Sequence, residues 1–130
     1  MFGLNLGGES KDTNHCAVAI LPVSDMTAAQ RFFERLGFRV EYGDDSYQIL
    51  SDGRGWQLHL QKAASSFLKP ATPFGLYLYT DDVDQLAEEF RNEILEPSKA
   101  PEQKEWGTYE FSLDGPDGIS VQVGCLSEGS

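Results

Sequence analysis

The chain has 130 residues, 40% of them apolar, with ten basic against twenty-one acidic side chains and a formal net charge of −11. One globular domain of this size can bury a core without disulfides or a structural metal. The charge argues against nucleic acid or an anionic membrane as partner, because affinity for phosphate rests on Lys and Arg.

Met1 to Asn14 is polar and Gly-rich and lacks the basic and apolar regions of a secretory signal. No apolar run approaches the ~20 residues that cross a bilayer, so a cytoplasmic protein is expected. Residues 1–14 read as a tail and 15–127 as the single domain. Cys16 to Val23 is small, β-branched and apolar with Pro22 near its end, which suits a strand and not a helix interior. Asp25 follows as N-cap, and Ala28, Ala29, Phe32, Phe33 and Leu36 recur at helical spacing until Gly37 ends the helix. Phe38 to Tyr42, Ser46 to Ser51 and Trp56 to Gln61 are short alternating runs separated by Gly- and Asp-rich turns, which predicts three antiparallel strands.

Lys62 to Thr72 reads as a loop, after which the order repeats. Phe74 to Tyr79 predicts a strand, and Asp81 and Asp82 precede Val83, Leu86, Ala87 and Phe90 at helical spacing. Glu93 to Pro97 is an edge-strand candidate. Thr108 to Leu113 and Ile119 to Cys125 are the last strands, joined across Asp114-Gly115-Pro116-Asp117-Gly118. Cys16 and Cys125 fall in apolar stretches without metal or redox spacing and read as buried thiols.

The expected fold is therefore α+β: two tandem βαβββ modules, about 15–62 and 73–126, whose mostly antiparallel sheets curve into a cup with helices outside. A ligand belongs in such a cup.

Ala19 to Asp25, Ala29 to Phe38 and the Pro116-Asp117-Gly118 turn, in that order, resemble the vicinal oxygen chelate superfamily of glyoxalase I, extradiol dioxygenases and fosfomycin- and bleomycin-resistance proteins. Phe32 to Phe38 and Pro101 to Gly107 resemble the bleomycin-resistance branch most. The resemblance implies a metal slot on each of four strands in the catalytic members, and these fall at Val18, His59, Leu76 and Gln122. Two of the four are hydrocarbon, whereas a stable divalent site needs three or four N, O or S donors. The bleomycin-resistance branch also lacks that metal and sequesters drug, so no metal, no cofactor and no catalytic residue are expected here. The alternative is a metal-dependent lyase or dioxygenase with an unusual donor set of His59, Glu110 and Gln122.

Strand alternation assigns the cup lining. Ile119, Val121 and Val123 face the helices, which turns Ser120 and Gln122 inward. Gln57, His59 and Gln61 face inward, with Trp56, Leu58 and Leu60 beneath a helix. Trp106, Thr108 and Glu110 turn inward, and the ligand register places Phe74, Leu76 and Leu78 inside. Asp45 and Tyr47 sit where bleomycin-resistance proteins carry an acidic-then-aromatic pocket edge. Asp45, Tyr47, His59, Phe74, Trp106, Glu110 and Gln122 are thus the candidate ligand-binding residues, suited to a cationic or aromatic small molecule through π faces and carboxylates. Blander roles are also open: Trp106 as strand-entrance packing, His59 as a hydrogen-bonded strand residue, Asp45 and Glu110 as solvated rim. Family members commonly pair, so a homodimer is expected; a sensor module serving a partner protein is a third reading.

Overall fold

The computed structural model describes residues 15–64 and 74–127. The predicted N-terminal tail and most of the loop after the fourth strand lie outside them. The order is β1 (Ala19–Val23), α1 (Met26–Arg35), β2 (Arg39–Gly43), β3 (Tyr47–Ser51), β4 (Gln57–Lys62), β5 (Gly75–Tyr79), α2 (Val83–Glu89), β6 (Glu102–Gln103), β7 (Thr108–Asp114) and β8 (Ser120–Leu126). These form two four-stranded sheets, β1-β4-β3-β2 and β5-β8-β7-β6. In each, the first strand lies parallel to the fourth and the remaining pairs are antiparallel, which is the repeat of two βαβββ modules.

Local chemistry sets the element ends. The Asp25 carboxylate accepts the Ala28 N–H at 3.0 Å, satisfying one of the donors a helix start leaves open. At the other end Gly37, at φ +109°, lets Gly37 and Phe38 donate back to Glu34 and Phe33. α1 buries Met26, Ala29 and Phe33, and α2 buries Val83 and Ala87. Each stripe covers one face of a sheet, carried by Leu21, Val23, Leu50, Leu58 and Leu60 in the first and by Leu78, Phe111, Leu113, Val121 and Val123 in the second. All join one continuous core.

The modules meet through their helices and strand ends. Phe32 and Phe90 lie 5.8 Å apart, and the Arg35 guanidinium stands 4.2 Å over the Phe90 ring while bonding Glu89 and Glu93. Asp117, at φ +55°, accepts from both the backbone N–H and the hydroxyl of Ser24. The Trp56 indole donates to the Tyr79 carbonyl at 2.9 Å.

Three expectations are corrected. Glu93 to Pro97 forms no strand: Arg91–Glu93 is a 3-10 turn, and the edge strand is the later Glu102–Gln103. The Leu95 N–H does donate to the Ser112 carbonyl at 2.9 Å, but the Ser112 N–H is taken at 2.8 Å by the Glu96 carboxylate in place of a backbone carbonyl. A second ladder bond has no partner there. Cys16 is exposed and Cys125 only partly buried, because β1 begins at Ala19 and leaves Cys16 ahead of the sheet. Finally, Leu76 and Leu78 pair with Val121 and Val123, placing them on the helix-covered side of the second sheet.

Candidate ligand-binding site

Each sheet keeps one face free of helices. On the first, register places Ile20 and Ile49 on either side of His59, with Gln57, Gln61 and Tyr47 of the same parity. Tyr47 and His59 share a hydrogen bond of 2.6 Å between the hydroxyl and Nδ1, their rings edge to face at 5.4 Å. Asp45 lies at the margin, exposed and ion-paired to Lys62 at 3.1 Å.

The corresponding face of the second sheet carries Tyr77, Gln122, Gly124, Thr108, Glu110 and Ser112. Glu110 is 2% exposed, and its Oε1 accepts from the Tyr77 hydroxyl at 2.8 Å and the Thr108 hydroxyl at 2.6 Å. A buried carboxylate is tolerated only when hydrogen-bonded in this way. Gln122 neighbours Tyr77 and Ser112 in register. Trp106 stands 66% exposed ahead of β7. Phe74 shares the parity of Leu76 and is half exposed at the entrance to β5.

The structure thus places Tyr47 and His59 on the free face of one sheet, with Asp45 just ahead of β3, and Glu110 and Gln122 on that of the other; Trp106 lies in the turn between β6 and β7, where Gly107 at φ +98° interrupts the strand alternation. Among the described residues no hydrogen bond joins the two faces. Sequence reasoning missed Tyr77, the aromatic residue that occupies this face in place of Leu76. It also missed Glu96, Lys104 and Gly124. Gly124 carried a signal, since a glycine inside an otherwise apolar strand marks close approach by another group.

The slots of a divalent metal do not fit. Val18 offers hydrocarbon, and a seven-residue count back from Asp82, matching Asp25 to Val18, reaches Gly75. His59 and Glu110 are each committed to neighbours in different sheets. Among the described residues no three His, Cys, Asp or Glu side chains converge.

Two tyrosines are perturbed. Burial, then the bond to Glu110, pushes Tyr77 up from 10.0 to about 12. The bond to Asp84 at 2.6 Å, then burial, pushes Tyr109 up to about 12. A folded-state pKa above the unfolded value means stabilisation that is complete below about pH 10 and is lost as pH rises toward 12. Phenolate absorbance is expected to show two tyrosines ionising late, and urea midpoints are expected to fall over the same alkaline window. Loss of stability confined to pH below 9 would contradict both assignments.

A family profile described as the Glyoxalase/Bleomycin resistance protein/Dioxygenase superfamily matches residues 13–123. The chain is 31% identical over 111 residues to a bleomycin resistance protein of Klebsiella pneumoniae, covering 79% of this chain and 86% of that protein. A bleomycin-binding protein solved in complex with bleomycin superposes at TM-score 0.72 with 29% identity, covering 88% of this chain and all of the other. A bleomycin resistance determinant encoded on transposon Tn5 gives TM-score 0.72 and 28% identity, covering 88% and 99%. With the profile spanning nearly the whole described chain and the same two-module fold in these relatives, the chain belongs to the glyoxalase/bleomycin resistance protein/dioxygenase superfamily.

Proposed function

We propose that this protein is a metal-free binder that sequesters a cationic or aromatic small molecule of the bleomycin class, one per chain, without chemical conversion. The observation that carries the reading is Trp106, 66% exposed in the turn that leads into β7, with the Lys104 ammonium 5.8 Å from its ring, at the end of a sheet whose helix-free face carries Glu110 and Gln122. A planar ligand gains contact area and, if charged, electrostatic attraction there. Relatives that bind or resist bleomycin, alike over most of both chains, support the same ligand class. The ligand-binding residues in this reading are Asp45, Tyr47, His59, Trp106, Glu110 and Gln122, with Phe74 at the margin.

A homodimer completes the reading. Ile20, Tyr42, Tyr79 and Leu126 are more than half exposed, and register places them on the helix-free faces. Exposed apolar residues grouped in this way mark a contact surface. A second copy covers them and brings the Tyr47–His59 face of one chain toward the Glu110–Gln122 face of the other. Both cysteines are free thiols, the ordinary state in a reducing cytoplasm.

Calorimetric titration with metal-free and metal-loaded bleomycin, run with light scattering, tests this. The expected result is one ligand per chain and two chains per particle, with Trp106→Ala weakening binding about ten-fold or more. Absence of heat and of tryptophan quenching at high micromolar bleomycin would overturn the proposed ligand.

A further inference from the structure

We propose that Lys104 is a positioning residue for the binding face: its ammonium, fixed by two glutamates, holds one side of the Trp106 ring and presents the other side to ligand. The inference rests on Trp106 being part of the site proposed above. Lys104 Nζ lies 3.1 Å from the Glu96 carboxylate, 3.6 Å from that of Glu102 and 5.8 Å from the centre of the Trp106 ring. Its side chain is only 19% exposed, and that of Glu96 is 6%, so the pair is shielded from the screening that makes surface pairs weak. Burial opposes the charge, and Glu96, Glu102 and Glu110 together outweigh it, leaving the ammonium more firmly protonated than usual.

Glu96 is itself anchored, accepting from both the backbone N–H and the hydroxyl of Ser112 in β7. Lys104 is therefore tied to β7 through a carboxylate that is itself held at two points. Its backbone adds a second constraint: the Lys104 N–H donates to the Thr108 carbonyl at 2.7 Å, and the Gly107 N–H donates to the Lys104 carbonyl at 3.1 Å, with Gly107 at φ +98°. Among the described residues Lys104 is the cation over the Trp106 ring, and no aromatic ring stacks on it. A large exposed indole without such a contact samples several rotamers, and ordering it on binding weakens affinity.

The test uses full-length protein carrying Trp56→Phe, which leaves Trp106 as the sole tryptophan; Trp56 is partly buried, stacked on Phe38 and packed against the core, and is not among the proposed binding residues. Lys104→Met is expected to lower the fluorescence anisotropy of Trp106, to raise its quenching by caesium relative to iodide, and to weaken bleomycin binding about five- to ten-fold. Lys104→Arg, which restores a cation over the ring, is expected to recover all three to within about two-fold. Urea titration of each variant separates these effects from loss of fold. Unchanged anisotropy and unchanged ion-quenching ratio in folded Lys104→Met would overturn the inference. Bleomycin binding that survives Trp106→Ala would instead overturn the site on which it rests.

Discussion

Replacing Gly124 with alanine is expected to destabilise the protein by about 3 kcal/mol, at the upper end of what overpacking costs. A Cβ at this position meets the Glu110 Cβ at 2.6 Å and the Tyr109 carbonyl at 2.8 Å, and it also meets the Tyr77 hydroxyl. The tyrosine ring can swing aside, but Glu110 Cβ and the Tyr109 carbonyl belong to the neighbouring strand and move only if the β7–β8 ladder opens. Displacing Tyr77 has a further cost, since its hydroxyl is one of two donors satisfying the buried Glu110 carboxylate. Gly75→Ala is the control: in the same sheet and on the same face, its nearest obstacle is the Ser120 carbonyl at an ordinary 3.6 Å. Urea unfolding is expected to show a large loss for the first and little change for the second. A Gly124→Ala midpoint equal to wild type would mean that β7 does not approach Gly124 this closely.

Phe90→Ala is expected to cost about 4 kcal/mol. Phe90 is fully buried where the two helices meet, against Phe32 and beneath the Arg35 guanidinium. Truncation leaves a void shared by both modules and removes the platform under Arg35. The Arg35 ion pairs with Glu89 and Glu93 are one-third to one-half exposed and hold less than the ring does. Arg35→Met is therefore expected to lose about 1 kcal/mol or less. Because one core runs through both modules, each variant is expected to unfold in a single transition with a shifted midpoint. Two resolved transitions in the wild type would show that the modules are energetically independent.

Much of this architecture is legible in the amino-acid order because its markers are local. Asp25 before an apolar helical stripe, Gly37 after it, and the Gly-Asp turns between alternating strands each act over a few residues. The same period placed His59 and Glu110 on the helix-free faces. β5 defeats the method: Leu76, Tyr77, Leu78 and Tyr79 are apolar or aromatic at every position, so alternation carries no parity, and a one-residue slip exchanges the two faces. Only pairing with β8 resolves it. The ties around Glu96 are hidden for another reason. Glu96 and Ser112 are sixteen residues apart and in different kinds of structure, and no periodicity links a loop carboxylate to the strand N–H it satisfies. The absent edge strand at Glu93 to Pro97 follows from that same carboxylate.

The parallel pairing of β1 with β4 and of β5 with β8 has a bearing on how the chain reaches this state. Within each module β2, β3 and β4, or β6, β7 and β8, are joined by short turns and zip with little loss of chain freedom. The opening strand of the module has no partner until the last strand of that module exists, with the helix and two further strands between them. Each sheet is accordingly sealed late, by the strand that is made first within its module, and such distant closures set a slow folding clock. Until then the inner edges of β4 and β8 stand unpaired, each able to accept the opening strand of another chain as readily as its own.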